Sequence, residues 1–160
     1  MKAKKRDFSE ILDEKDKKII EILQFNSREK LTKIAKQVNL SIDSVNKRIK
    51  KLVASRILFL RALVDPRKIG YHIVSDNKVK LHNITEQELK SFLDYLVAYP
   101  RVIEVITIAG DWDVTCIIIA KDSEELESTI MGIRQRFSKL IASWTSVLTL
   151  KVYKFEEYKL

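Results

Sequence analysis

The chain has 160 residues, 46% of them hydrophobic and 32% charged, so it can bury a core and does not have the composition of a disordered chain. No run approaches the roughly 18 uninterrupted apolar residues of a membrane span, and the start, MKAKKRDFSE, has no apolar signal-peptide core; a soluble, cytoplasmic protein without a membrane partner is expected. The net charge of +8 is uneven: residues 1–70 hold 19 Lys and Arg against 9 Asp and Glu, or +10, and residues 71–160 hold 11 against 13, or −2.

The basic half predicts contact with a polyanion. Nucleic acid is preferred over an anionic membrane, because no strongly amphipathic basic helix carries Trp or Phe. A first helix is expected from about Glu14 to Phe25, capped by Asp13, with Asp16 three residues on and Ile19, Ile20 and Leu23 facing inward. From Leu31 to Leu58 the chain reads as two short helices about a tight turn. Leu31, Ile34, Ala35 and Val38 recur at the spacing of one buried face, as do Val45, Ile49, Leu52 and Val53 in the next helix. Between them, Asn39 tolerates the left-handed conformation that ends a helix, and Ser41 can cap the next one. Three such helices close the minimal core of a plain or winged helix-turn-helix unit.

The outer side of the third helix is cationic and rich in donors. Asp43, Ser44, Lys47, Lys50 and Lys51 lie opposite its apolar stripe, and Asn46 and Arg48 flank it. A helix in the major groove needs Lys or Arg for phosphates and guanine edges, and Asn or Ser for finer hydrogen bonding. The DNA-contact candidates are therefore Ser41, Asp43, Ser44, Asn46, Lys47, Arg48, Lys50 and Lys51, with Lys15, Lys17 and Lys36 as further phosphate contacts. Ile57–Val64 (ILFLRALV) reads as a strand that pairs with another segment, such as the same strand of a second subunit. Asp65-Pro66 makes a turn and Gly70 ends the connector.

The remainder changes rhythm. Ile73–Leu81 is a strand. Thr85 opens a helix with Leu89, Phe92, Leu93 and Leu96 on one face, Thr85 and Glu88 forming a capping box, and Pro100 stops it. Val102–Ala109 and Val114–Ala120 form a hairpin about Gly110-Asp111-Trp112-Asp113. A helix follows over Ser123–Ile141, with Leu126, Ile130, Ile133, Phe137 and Leu140 inward, then a last strand over Val147–Phe155. This order is the ferredoxin-like split βαβ plan, an antiparallel sheet with both helices on one face. The fold class is thus α+β: a helix-turn-helix domain over 1–56, a linker strand and turn over 57–71, and a ferredoxin-like βαββαβ domain over 72–160. Apolar residues on both sides of Cys116-Ile117-Ile118-Ile119 predict that the uncovered sheet face is buried by dimerisation.

Five pieces, taken in order, resemble the leucine-responsive regulatory protein/asparagine regulator (Lrp/AsnC) family of bacterial and archaeal transcription factors. They are LDEKDKKIIEILQ at Leu12–Gln24, IAKQVNLS at Ile34–Ser41, VNKRIKKL at Val45–Leu52, LVDPRKIGY at Leu63–Tyr71 and GDWD at Gly110–Asp113. The resemblance covers nearly the whole chain from about Ile11. It implies an N-terminal DNA-binding unit, a linker strand, and a C-terminal ligand-sensing domain that dimerises and often assembles further, to tetramers or octamers. The recognition helix then falls on Ile42–Ala54, and the effector motif of a glycine followed three residues later by an aspartate falls on Gly110 and Asp113. Amino acids are the usual effectors of such proteins. An aspartate suits an α-ammonium group and backbone amides at a glycine turn suit its carboxylate; Asp111 and Ser146 complete the effector candidates. The chain departs from the family pattern at Asn39 and Lys30, at Ser55-Arg56 after the recognition helix, and in lacking a Pro-Gly near Ile141–Ser143.

Little supports an enzyme. His72 and His82 are isolated, three glycines make no phosphate loop, and no nucleophile has a recognisable partner. The family's sirohaem-decarboxylating branch would carry Asn-His at Asp65-Pro66, which this chain does not. The single cysteine, Cys116, excludes an internal disulfide framework or a cysteine-cluster metal site, and its strand-like setting predicts a buried thiol. No cofactor or metal is expected. An architectural, low-specificity DNA-coating protein remains an alternative, because phosphate contacts look alike in both cases.

Overall fold

The computed structural model describes residues 12–160; the opening MKAKKRDFSE and Ile11 lie outside the described residues. The described chain forms two compact units. The first runs up to Leu63 and also takes in Lys154–Leu160; the second spans Val64–Tyr153.

The first unit contains α1 (Glu14–Phe25), α2 (Leu31–Val38) and α3 (Ile42–Ala54). Asp13 caps α1, its carboxylate accepting the Asp16 amide at 2.8 Å. The core gathers Ile19, Ile20 and Leu23 from α1, Ile34, Ala35 and Val38 from α2, and Val45 and Leu52 from α3. Leu58, beyond α3, closes it. Val53, expected inward, is exposed. At about 100° per residue it stands about 80° around the helix from Val45, outside the arc spanned by Val45, Ile49 and Leu52. The Ser55-Arg56 turn after α3 places Arg56 in the left-handed region, with φ of 58°, a conformation that favours glycine.

Within the single chain the Ile57–Val64 segment takes no strand; the strand expected there pairs with the same segment of a second subunit. Past Leu58 the segment is irregular, and Phe59, Leu60, Leu63 and Val64 are exposed. A strand exists only where a neighbouring strand takes its amides and carbonyls, and none lies beside this segment among the described residues. Asp65 caps a short 3₁₀ turn at Pro66–Ile69, which Gly70 ends with φ of 93°.

In the second unit, β1 (Ile73–Leu81), α4 (Glu86–Ala98), β2 (Val102–Thr107), β3 (Val114–Ala120), α5 (Ser123–Arg136) and β4 (Ile141–Leu148) follow the βαββαβ order. The antiparallel sheet has the strand order β2-β3-β1-β4. Thr85 and Glu88 form the complete capping box on α4. Phe92 and Leu96 of α4 and Ile133 of α5 pack with Val79, Leu81, Val114, Cys116 and Ile118 in one core, so both helices cover the same sheet face. The register puts Ile106, Ile117 and Val147 on the other face, beside Asp76, Lys78 and Glu104.

The end of the chain differs from the sequence reading. The helix expected to reach Ile141 stops at Arg136, and the strand expected at Val147–Phe155 is β4, beginning six residues earlier. The apolar spacing of Phe137 and Leu140 belongs to a turn before β4, in which buried Leu140 accepts the His82 amide. β4 pairs with β1 from Leu81↔Ile141 to Ser75↔Leu148, with a register shift between Lys80 and Leu81. Past Leu148 there is no further strand; residues 150–160 are exposed.

Candidate nucleic-acid interface and effector hairpin

The turn between α2 and α3 is built as its residue types require. Asn39 sits at φ 53° and ψ 57°, and the Leu40 amide returns to the Ala35 carbonyl at 3.0 Å. Asparagine reaches this left-handed position at less cost than a branched residue. Ser41 caps α3: its Oγ accepts the Ser44 amide at 3.2 Å and donates to Ser44 Oγ at 2.8 Å. Lys30, before α2, provides no side-chain cap.

On α3 the predicted contact residues divide into two groups. Lys47, Lys50 and Lys51 are exposed. Lys47 pairs with Asp43 at 2.8 Å one turn back, an open pair of little energetic weight that a phosphate could readily replace. Ser44 and Asn46 are half-buried at the flank of this row. Arg48 turns toward α1, where its Nη1 donates to Asp13 at 2.7 Å and to Asp16 at 2.8 Å. The Asp16 side chain is only 8% exposed, so Arg48 neutralises a carboxylate that water hardly reaches. The Asp16 amide, and secondarily the Arg48 guanidinium, hold the Asp13 carboxyl below its ordinary range. Arg48 therefore ties α3 to the first turn of α1. The sequence could have signalled this only through the acidic first turn of α1, because helical periodicity places Arg48 merely at a flank.

The hairpin at Gly110–Asp113 connects β2 to β3. Gly110 has φ of 135°, which any other residue would strain to adopt. Asp111 is exposed. Asp113 is held on all sides: its amide donates to the Val79 carbonyl at 3.0 Å, and its carbonyl accepts the Ile108 amide at 2.9 Å. Its carboxylate accepts the Leu81 amide at 2.7 Å and Lys80 Nζ at 3.1 Å. The Leu81 amide, and then Lys80, keep this carboxyl below the usual aspartate range.

Ser146 belongs to a different cluster. Its Oγ donates to Asn77 Oδ1 at 2.7 Å and takes the Trp144 Nε1 proton at 3.1 Å. Asn77 is completely buried; its Nδ2 donates to the Ser75 carbonyl at 2.9 Å, and its Oδ1 also accepts from Trp144. The structure thus brings Gly110, Asp111 and Asp113 together on one turn, with Lys80, and sets Ser146 in a network centred on Asn77. Asn77 escaped the sequence reading. Its signal was a polar residue at an inward strand position, two before Val79.

Cys116 is buried, and loss of solvation, with the neighbouring Asp76 charge adding to it, pushes its thiol up to about 12. His72 and His82 flank β1 in exposed positions. No cluster of three or more His, Cys, Asp or Glu able to hold a metal occurs among the described residues. No helix there is long and apolar enough to cross a membrane.

These two assemblies, a three-helix unit with a capped basic helix and a βαββαβ sheet with an aspartate-bearing hairpin, define a two-part regulator architecture. Residues 12–53 match the AsnC-type helix-turn-helix domain, and residues 78–158 match the Lrp/AsnC ligand binding domain. The chain belongs to the Lrp/AsnC family of transcriptional regulators. It is 38% identical over 119 residues to the HTH-type transcriptional regulator FL11 of Pyrococcus furiosus, covering 74% of this chain and 77% of the relative. It is 31% identical over 121 residues to the HTH-type transcriptional regulator LrpA of Pyrococcus horikoshii, covering 75% and 84%. Among solved structures, an AsnC family transcriptional regulator from Agrobacterium tumefaciens superposes with a TM-score of 0.80 at 23% identity, covering 90% of this chain and 94% of that one. A Neisseria meningitidis transcriptional regulator in complex with L-Met gives 0.80 at 21%, covering 90% and 93%.

Proposed function

We propose that the protein binds double-stranded DNA in a sequence-selective way through α3, as a homodimer or a tetramer or octamer built from dimers, and that an amino acid binding at the Gly110–Asp113 hairpin modulates that binding. The observation that carries the DNA reading is the exposed row of Lys47, Lys50 and Lys51 on a helix whose inner face is packed and whose Arg48 is tied to α1. A row of cations on a fixed helix delivers base and phosphate contacts in a set register. Ser44 and Asn46 supply donors beside it, while Ser41 and Asp43 act through the helix start.

Two unpaired apolar surfaces support self-association. One is the exposed Phe59, Leu60, Leu63 and Val64 of the linker; the other is Ile106 and Val147 on the uncovered sheet face. For the effector, Asp113 already accepts one ammonium, that of Lys80, and the pair is open enough for a ligand's α-ammonium to exchange with it, which supports this reading. The L-Met complex of the Neisseria neighbour agrees with a ligand of that class. No cofactor and no catalytic step enter this reading.

Selection of genomic fragments followed by footprinting tests the first half. A short pseudo-palindrome held far more tightly than bulk DNA is expected; uniform, salt-steep binding to all duplexes would instead indicate an architectural coat. A thermal-shift screen of the twenty amino acids tests the second half, and no shift with any of them would refute it.

A further inference from the structure

The last seven residues, Lys154–Leu160, belong to the DNA-binding unit, although the chain reaches them only after completing the effector domain. They are held by α1. The Gln24 side-chain amide reads both polar groups of one backbone residue: its Oε1 accepts the Tyr158 amide at 2.8 Å, and its Nε2 donates to the Tyr158 carbonyl at 3.1 Å. One turn earlier, Glu21 Oε1 accepts the Leu160 amide at 3.3 Å. This is the pairing an added β-strand would make, supplied by two side chains on a helix. The tail side chains contribute little: Phe155, Tyr158 and Leu160 remain about half exposed or more.

We propose that the outer face of α1 is a docking site for the C-terminal segment of its own chain, and that the docked segment acts as a releasable strap on the DNA-binding unit. The chain leaves that unit after Leu63 and returns to it at Lys154, so a docked tail gives the unit two attachments to the effector domain in place of one. A second tether narrows the orientations open to α3. Because the contact consists of a few solvent-facing hydrogen bonds, it holds only through the high effective concentration of a tethered segment. Such a contact is easily shed, and any change in the course of residues 149–153 would alter it. The dock itself depends on no functional reading; its consequence for DNA rests on the DNA-binding reading above.

Two arms test it. In the full chain, with Gln24 kept, cysteines replace its exposed neighbour Phe25 and Tyr158, of which only the backbone is held, and a short bismaleimide is added; buried Cys116 is shielded. A cross-link within one chain is expected, while no cross-link, or one joining two chains, would overturn the dock. In the second arm, wild type, Gln24→Ala and a chain ending at Tyr153 are titrated against duplexes whose two half-sites are moved apart in single-base-pair steps. Wild type should lose about tenfold in affinity when the half-sites are displaced by half a helical turn, and both variants should lose about threefold or less. Identical spacing profiles for all three would overturn the strap. If the shortened chain misfolds, Gln24→Ala, a substitution on the helix surface, decides. Failure of wild type to bind any duplex would refute the DNA-binding reading and the strap's effect on DNA, while the cross-link still decides the dock.

Discussion

Asp113 and Leu81 are joined at the point where the β1–β4 register slips: the Leu81 amide is taken by a carboxylate from the β2–β3 hairpin at 2.7 Å. Asp113 is therefore part of the sheet before it is part of any ligand site. Asp113→Ala should lower the stability of the effector domain by about 1 kcal/mol, the scale of a single charge-assisted bond in a half-open position. Urea unfolding would measure this, and an unchanged midpoint would show that water replaces the carboxylate. The pH dependence follows from the same contact. Because folding depresses this pKa, the stability it contributes is present above the ordinary aspartate value of 3.8 and is lost as the pH falls through the folded value. The wild-type minus Asp113→Ala difference should thus be constant from neutrality to about pH 4 and vanish in stronger acid.

Lys80 separates the structural role of Asp113 from the ligand-binding role proposed for it. Lys80→Met removes the ammonium but leaves the Leu81 bond intact. Stability should change by less than about 0.5 kcal/mol, as for other exposed pairs. An amino acid should then no longer have to displace Lys80, so the thermal shift at a given ligand concentration should rise. A smaller shift would mean that Lys80 itself holds the ligand.

Lys47 and Arg48 are neighbours in sequence and should differ in consequence. Lys47→Ala should weaken operator binding by ~1 to 3 kcal/mol and relax preference at one or two base pairs, with the fold unchanged. Equal losses on every duplex would reduce it to a phosphate contact. Arg48→Met should instead destabilise the helical unit by about 2 kcal/mol, because the Asp16 carboxyl is left buried without its partner. Thermal unfolding followed at 222 nm distinguishes the two; a variant that melts like wild type but binds DNA poorly would return Arg48 to the DNA surface.

The helices and the hairpin were legible because each signal was local. Ser41, Asp13 and Thr85 each accept an amide three residues on, Asn39 turns its own backbone, and the stripes of Val38 and Phe92 repeat within one helix. What was not legible depends on distant partners. The linker at Phe59–Val64 has strand composition but no strand beside it, Arg48 chose carboxylates more than 30 residues away, and the start of β4 was hidden by Phe137 and Leu140, whose spacing suits a helix as well as a buried turn. For the site, residue types placed Gly110 and Asp113 on one turn, yet nothing in the chain's order revealed Lys80 beside Asp113 or tied Ser146 to Asn77.

Asn77→Ala should cost the effector domain about 2 kcal/mol, since it strips partners from Trp144 Nε1 and Ser146 Oγ and opens a small void beneath the helices. Tryptophan fluorescence during denaturation would follow the loss, and a neutral result would mean that water fills the gap.

The cysteine gives a simple check on packing. With its thiol pushed up to about 12 and no exposed surface, Cys116 should resist iodoacetamide at neutral pH and react only on unfolding. Mass spectrometry of native and denatured samples would show this, and rapid native labelling would mean that the sheet opens.

Among the described residues, the core closed by Leu58 and the core around Ile118 have no member in common. Substitutions on the outer face of α3 therefore need not disturb the packing of the sheet, and the reverse holds too. On the proposed reading, the DNA target and the effector can each be re-engineered by substitutions in one half without repacking the other.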